Sequence, residues 1–337
     1  KSRGAEVLTR TRCTSLVRNG DHWDAVLEGP TGSETRSFKA VVNAAGAWVD
    51  DILGLDPGKK TETHLRLVKG SHIIVPRWHE GDHAYFFQNG DGRIMFAIPY
   101  ERGEFTLIGT TDVPYEANRD EVKITQDEIK YLCDGASEYY ARAVTPSDVV
   151  ATYSGVRPLY DDHAANASKV TRDYVLKLDD EAGAPILSVF GGKITTYREL
   201  AEDALQTLED IFPSADKEWT RDADLPGGDM PGADFDGFFT DLKRDYPNLD
   251  ADLLERLARA YGTKVRQLLT NADTVADLGR MFGAGLTEAE ARYLVEAEFA
   301  RSADDILWRR SKLGLHMSDA ERAAFSDWMT DHIKTHA

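Results

Sequence analysis

The stretch Ser188-Val189-Phe190-Gly191-Gly192-Lys193-Ile194-Thr195-Thr196-Tyr197-Arg198 places two glycines, a cation and two hydroxyls side by side. Glycines let the backbone approach a ligand closely. The first amides of a helix point unpaired N–H groups, with the positive end of the dipole, at an anion. Lys193, Thr195 and Thr196 add a charge and donors at the same spot. A strand-to-helix turn capped by Thr196 would use the same residues. A second small-residue turn, Ala44-Ala45-Gly46-Ala47-Trp48, follows the apolar run Val41-Val42, and there too backbone can close on a flat or phosphate-bearing ligand. Arg157 lies between Gly155, which frees the backbone, and Pro158, which stiffens it, so its guanidinium is aimed. Arg172 supplies a second guanidinium. Arg66, Lys69 and His72 come from one strand candidate; at a period of two, Arg66 and His72 share a face and Lys69 points the other way.

The elements that must position these residues are legible in outline. The runs Ala5–Leu8, Thr14–Val17 and Trp23–Leu27, punctuated by Asn19-Gly20-Asp21 and Pro30-Thr31-Gly32-Ser33, predict a three-stranded β-meander. Between Pro57 and Pro146 the pattern alternates. Gly70–Pro76, Ala84–Phe87, Arg93–Tyr100 and Glu104–Asp112 read as strands, with hairpin turns at Asn89–Gly92 and Glu101–Glu104. Asp127 to Arg142 has near-helical apolar spacing and is expected to cover one face of that sheet. Apolar Ile186–Phe190 breaks at Gly191-Gly192 into an Ala/Leu/Glu-rich pattern, predicting strand, turn, helix. Pro226–Gly232 reads as a linker, after which amphipathic helices dominate, with Thr287/Glu290 and Ser318/Glu321 at capping-box spacing.

The 337 residues are enough for two or three domains. A net charge of −18 argues against broad nucleic-acid binding, which needs a basic face, yet allows a small anion where a few cations gather in one cleft. Cys13 and Cys133 have neither zinc-ligand nor disulfide-framework spacing, so no metal site is expected and a reducing compartment fits. No apolar run approaches the roughly 20 residues that span a bilayer, so any membrane association is expected to be peripheral. Arg309, Arg310 and Lys312 form the densest basic cluster. It suits a helix C-terminus as well as an anionic partner.

Taken in order, Val42–Val49, Val68–Ile73, Ile108–Asp112, Tyr153–Leu159, Thr171–Tyr174 and Phe190–Arg198 resemble the FAD-dependent, aerobic glycerol-3-phosphate dehydrogenases. So do Ala291–Glu296 and Ala303–Arg310, which are similar to that family's C-terminal helical domain. The resemblance covers nearly the whole chain. Two departures stand out: the family's N-terminal GxGxxG turn for the FAD pyrophosphate is absent, so the chain looks like a member lacking that segment, and Ala47 stands where the family usually has Pro.

The resemblance implies an α+β / α/β architecture: a partial FAD-binding domain, an inserted antiparallel β-sheet substrate domain and a C-terminal all-α domain. The expected boundaries are 1–56 for the FAD-domain remainder with its meander, 57–150 for the substrate sheet, 151–212 for the return to the FAD domain and 213–337 for the helical domain. It also implies oxidation of sn-glycerol 3-phosphate at C2 to dihydroxyacetone phosphate, with hydride passing to FAD and electrons onward to quinone. The chain would sit peripherally on the cytoplasmic face of the inner membrane, with a homodimer allowed. A phosphate dianion in an acidic protein needs local cations, for which Arg157, Arg172 and Lys193 are the candidates. Alcohol oxidation needs a base, and His72 is the choice by its ordinary pKa. Arg157 can instead hold the developing alkoxide, and Lys193 the flavin edge where negative charge grows. Ala45, Gly46, Trp48, Gly192, Lys193, Ile194, Thr195 and Thr196 match the family's cofactor positions. Two alternatives stay open: a flavoprotein of the same architecture acting on amino acids, and a non-catalytic binding or assembly module.

Overall fold

The computed structural model describes residues 3–58, 63–161, 173–213 and 218–333. The chain divides into two compact units, Lys1–Arg221 and Asp222–Ala337.

The first unit opens with an antiparallel meander of β1 (Arg12–Asn19), β2 (His22–Gly29) and β3 (Gly32–Phe38). Trp23 anchors it, fully buried with its indole N–H donating to the Pro185 carbonyl at 2.9 Å. The meander's membership differs from expectation. Ala5–Leu8 is exposed and forms no strand, and the third strand is Gly32–Phe38. That segment has one large apolar residue, Phe38 at its end, so its sequence carries no apolar alternation; backbone pairing to β2 makes it a strand.

The short strand β4 (Val41–Asn43) leads through a 3₁₀ turn, Gly46–Trp48, into α1 (Val49–Leu53). Next come the strands of the antiparallel sheet: β5 (Leu65–Pro76), β6 (Tyr85–Gln88), β7 (Ile94–Tyr100), β8 (Phe105–Gly109), β9 (Val113–Pro114) and β10 (Ala151–Tyr160). Their spatial order is β10-β5-β8-β7-β6, with β9 also paired to β5. β10 begins at Ala151, where the return to the cofactor domain was expected, and is laddered to β5 from Ala151↔Ile74 to Tyr160↔Leu65. The helix α2 (Gln126–Ser137) covers one face. There Leu132, Cys133 and Ala136 pack on Ile73, Val75, Phe87, Met95, Ala97 and Ile108. At about 25 cal/mol per Å² of apolar surface, this face binds sheet to helix.

A second sheet, ordered β11-β12-β4, joins β11 (Tyr174–Asp179) and β12 (Ile186–Gly191) to β4. β12 runs parallel to β4 and is buried from Ile186 to Phe190, as a central strand covered on both faces must be. It turns at Gly191-Gly192 into α3 (Tyr197–Thr207).

The second unit is mainly helical: α4 (Phe235–Asp245), α5 (Ala251–Tyr261), α6 (Val265–Leu268), α7 (Glu288–Ala297) and α8 (Asp319–Ile333). It is not all-α, because β13 (Met281–Gly283) and β14 (Leu286–Thr287) form a hairpin before α7. The expected linker is built into this unit, with the Thr263 amide donating to the Gly227 carbonyl at 3.0 Å. The basic cluster serves a helix end: Arg310 donates to the Glu298 carbonyl and Lys312 to the Trp308 carbonyl.

Candidate active site

Alternation along β5 separates two kinds of chemistry. Val68, Gly70 and His72 face one side of the sheet, while Lys69, Ser71, Ile73 and Val75 face α2. On the open side, register places Tyr153, His72, Gly109, Phe96 and Phe86 in one row across five strands. The His72 ring stacks on Tyr153, centroids 4.7 Å apart and planes 11° apart. Burial first, and then the charge of Arg157, pushes the imidazole down to about 4, so it is neutral at neutral pH. Its Nδ1 is buried with no hydrogen-bond partner among the described residues.

Arg157 lies on the same side, opposite Val68 on β5. Its Nη1 donates to Asp112 Oδ1 at 2.6 Å and its Nη2 to Thr110 Oγ1 at 3.2 Å. Both partners of the ion pair are partly exposed, so the guanidinium is available to an incoming anion. An exposed pair of this kind is worth little by itself, and exchanging Asp112 for a phosphate costs correspondingly little.

Beneath these residues lies a closed polar network. Glu128 of α2 accepts from Ser71 Oγ and Thr111 Oγ1, each at 2.9 Å, and from the Thr125 amide at 2.8 Å. Lys69 Nζ pairs with it at 2.8 Å and donates to the Lys123 carbonyl at 3.0 Å. Burial opposes ionisation of Glu128, but the hydrogen bonds from Lys69, Thr125, Thr111 and Ser71 outweigh it and hold the carboxyl at about 2. Lys69 is therefore a structural cation. Its neighbours Gly70 and Ser71, and the adjoining Thr110–Asp112 turn, are fixed from below.

The two turns singled out in the sequence follow the carboxyl ends of β4 and β12, adjacent parallel strands, and so lie at one edge of the sheet. Ligands of open α/β sheets bind beyond such strand ends. Gly46, Gly191 and Gly192 have φ of +56°, +70° and +92°, conformations glycine adopts without strain. Thr196 does not cap α3. Its hydroxyl donates backward to the Lys193 carbonyl at 2.9 Å, and no side chain caps the helix start. Ile194 is 88% exposed and Trp48 38% exposed, apolar surface set beside the two turns. Lys193 and Thr195 are exposed, and Lys193 forms no ion pair among the described residues. The second turn also touches the antiparallel sheet: a Cβ added at Gly191 would sit 3.6 Å from the Pro158 carbonyl, next in sequence to Arg157.

The structure thus gathers Ala45, Gly46 and Trp48 with Gly192, Lys193, Ile194, Thr195 and Thr196 at one edge, and His72 with Arg157 on one sheet face. Arg172 lies outside the described residues. Sequence reasoning assigned no role to Tyr153, Thr110, Asp112 or Gly109, although the motif segments contain them; only strand register shows that they meet His72 and Arg157. Arg119 was also missed. From the 3₁₀ turn Arg119–Glu121, after β9, it reaches the first turn, donating to the Ala47 carbonyl at 2.5 Å and to Asp51 at 2.7 Å, with its guanidinium 5.7 Å from the Trp48 ring.

A parallel-strand edge with glycine turns, and a sheet face carrying an imidazole and a guanidinium, are the features to set beside known proteins. The family model described as FAD dependent oxidoreductase matches residues 1–198, and the chain belongs to that family. Residues 219–332 match the model described as the C-terminal domain of alpha-glycerophosphate oxidase. The chain is 45% identical over 328 residues to D-erythritol 1-phosphate dehydrogenase of Brucella abortus, covering 97% of this chain and 65% of the relative. It is 44% identical over 335 residues to aerobic glycerol-3-phosphate dehydrogenase of Escherichia coli, covering 98% and 66%. The chain therefore spans about two thirds of the length of these curated relatives. The solved glycerol-3-phosphate dehydrogenase of Bacillus halodurans, complexed with FAD, superimposes with a TM-score of 0.77 at 25% identity, covering 99% of this chain and 70% of that one.

The residues present fit a flavin dinucleotide. Positive-φ glycines leave room for close backbone approach, the exposed Lys193 suits anionic oxygens, and exposed Ile194 and Trp48 suit a flat apolar ring. Among the described residues no group of three or more His, Cys, Asp or Glu side chains converges to hold a metal ion, and no helix is long and apolar enough to cross a membrane.

Proposed function

We propose that this protein oxidises sn-glycerol 3-phosphate at C2 to dihydroxyacetone phosphate. The observation that carries the reading is the joint placement of a neutral imidazole and an exchangeable guanidinium on one open sheet face. The similarity to the Escherichia coli dehydrogenase supports the substrate. FAD, when bound at the two turns, supplies the two-electron acceptor. His72 Nε2 takes the proton of the C2 hydroxyl; at about 4 the ring is neutral across the neutral range but a weaker base than the ordinary histidine that the sequence led one to expect. Arg157 turns from Asp112 toward substrate oxygen and stabilises negative charge on the phosphate or the developing alkoxide. Arg172 and Lys193 are assigned as further cations for the phosphate. A quinone as onward acceptor, a peripheral seat on the cytoplasmic face of the inner membrane and a homodimer belong to this reading through the family resemblance.

D-Erythritol 1-phosphate is the second substrate to weigh, given the 45% identity to the Brucella abortus enzyme. Both substrates are phosphomonoesters of a polyol carrying a secondary alcohol. The test is the visible spectrum of the protein incubated with FAD and then given each phosphate in turn. Flavin bands that bleach with glycerol 3-phosphate support the proposal. Bleaching with erythritol 1-phosphate alone would move the assignment to the longer polyol. Retained flavin that neither compound bleaches would sink both.

A further inference from the structure

We propose that Gly70 and Gly109 are positioning residues: each is bare so that a working side chain lies over it, the Arg157 guanidinium over Gly70 and the His72 imidazole over Gly109. The inference rests on the reaction assigned above and adds a reason for two residues to which that reaction assigns no part.

Strand-interior glycines weaken a strand, so they mark a bulge, a bend or a close approach. Here neither a bulge nor a left-handed backbone conformation accounts for them. The β5–β8, β7–β8 and β10–β5 registers run without a shift, and neither glycine has a positive φ. Close approach remains. A Cβ at Gly109 would lie 2.2 Å from Cδ2, 2.6 Å from Cγ and 2.8 Å from Nε2 of His72, its partner in register. A Cβ at Gly70 would lie 2.6 Å from Nη2 and 2.8 Å from Cζ of Arg157, and 2.8 Å from Thr110 Oγ1. In both places the obstructed atoms belong to a side chain, so the sheet itself has no conflict with alanine.

Gly155 supplies the contrast. It pairs with Gly70 in register, also lacks a positive φ, and a Cβ there would meet nothing within 4 Å. Its neighbourhood needs no glycine on either ground. The two slots therefore differ from an ordinary strand glycine by what lies over them. At Gly109 the imidazole occupies the missing side chain's space while Tyr153, on the opposite neighbour strand, stacks on it. The ring is held between strand and phenol without a hydrogen bond to Nδ1. Tyr153 fixes the plane and Gly109 fixes the height above the sheet.

The experiment is a set of alanine substitutions, Gly109→Ala, Gly70→Ala and Gly155→Ala, each also made in a His72→Ala or Arg157→Ala background. Thermal unfolding, the imidazole carbon signals of His72 and steady-state kinetics of the FAD-loaded protein are followed. A displacement of about 1 Å at a reacting group costs about 100-fold in rate. Gly109→Ala is expected to shift the His72 signals and to lower kcat about 100-fold with a smaller change in KM, and to melt below Gly155→Ala by an amount that the His72→Ala background removes. Gly70→Ala is expected to raise KM for the phosphate about tenfold. In the His72→Ala background, Gly109→Ala should cost nothing further, because the obstructed ring is gone. Additive losses in that double variant, or His72 signals that Gly109→Ala leaves unmoved, would overturn the proposal. If Gly109→Ala fails to fold, folding of His72→Ala/Gly109→Ala like His72→Ala alone would still support the slot, and its failure too would overturn it. The His72 signals need no substrate, so a slot that holds in a protein inert toward glycerol 3-phosphate would count against the reaction alone.

Discussion

The two faces of β5 carry alternate residues of one strand under opposite physical rules. On the lower face Lys69 and Glu128 are each only 7% exposed in their side chains, and the carboxylate collects donors from Ser71, Thr111, Thr125 and Lys69. On the upper face His72 has a buried nitrogen with no partner and Arg157 holds a partly exposed, replaceable partner. Below, polar groups are buried and saturated; above, they are deliberately under-satisfied. A buried ion pair tolerates no partial loss, whereas a reactive face must leave bonding capacity for substrate. The lesson is that stability and reactivity can be set one residue apart, because alternation keeps them on different sides of a sheet.

The largest expected effect tests the lower face. Glu128→Gln leaves the Lys69 ammonium buried and uncompensated, and should cost about 3–5 kcal/mol of unfolding free energy, read by denaturant titration. The double change Lys69→Met/Glu128→Leu removes both charges and should recover part of that loss, the rest remaining because Ser71, Thr111 and the Thr125 amide lose their acceptor. A Glu128→Gln protein that keeps wild-type stability would show that the face is not saturated by this carboxylate. The sign with pH follows from the depressed carboxyl. The pair's contribution is present above the ordinary glutamate range and is lost as pH falls toward about 2.

How far the sequence disclosed this division depends on whether the signal was local. Alternation put Arg66 and His72 on one face and Lys69 on the other, and Lys69 is indeed turned toward α2. The Thr125-Gln126-Asp127-Glu128 capping box was equally local, yet its glutamate also serves Ser71 and Thr111, more than 15 residues away. Nothing in the spacing of Ile108–Asp112 says that Gly109 lies under His72, because strand pairing is a property of two segments. The same limit explains the meander. Gly32–Phe38 has no apolar period to read and becomes a strand only through β2, while the apolar Ala5–Leu8 finds no partner strand and stays exposed. The glycine turns were legible because strand, positive-φ residues and helix are contiguous.

A smaller effect is expected on the upper face. Arg157→Gln removes the charge that adds to burial in holding the His72 imidazole near 4, so the ring's pKa should rise from about 4 toward its ordinary 6.5. In the parent protein the unfolded chain takes up this proton on acidification before the folded one does. Stability therefore falls as pH drops from about 6.5 toward 4, and in Arg157→Gln that window narrows. The check is a titration of the His72 carbon signals in both proteins. Loss of a positioned charge of this kind should also lower kcat/KM by about 10²–10³, with little change in unfolding free energy at neutral pH. An unmoved imidazole pKa would separate Arg157 from His72 and break the picture of one reactive face.

The smallest effect sharpens the boundary between the faces. Thr125 caps α2, its Oγ1 accepting from the Glu128 amide at 3.2 Å and donating to Glu128 Oε2 at 3.1 Å. Thr125→Ala removes both bonds but leaves the Thr125 backbone amide on the same carboxylate oxygen at 2.8 Å, so the ion pair with Lys69 survives. The expected cost is that of a lost N-cap, about 1 kcal/mol, recovered by Thr125→Ser, with kcat and KM unchanged. One donor among several can be lost without moving Ser71, Thr111 or Lys69, which connect Glu128 to the backbone beneath His72 and Arg157. Should kcat instead fall more than tenfold at that modest cost in stability, the network below would be tensioning the site above. Saturation would then be part of the chemistry as well as of the fold.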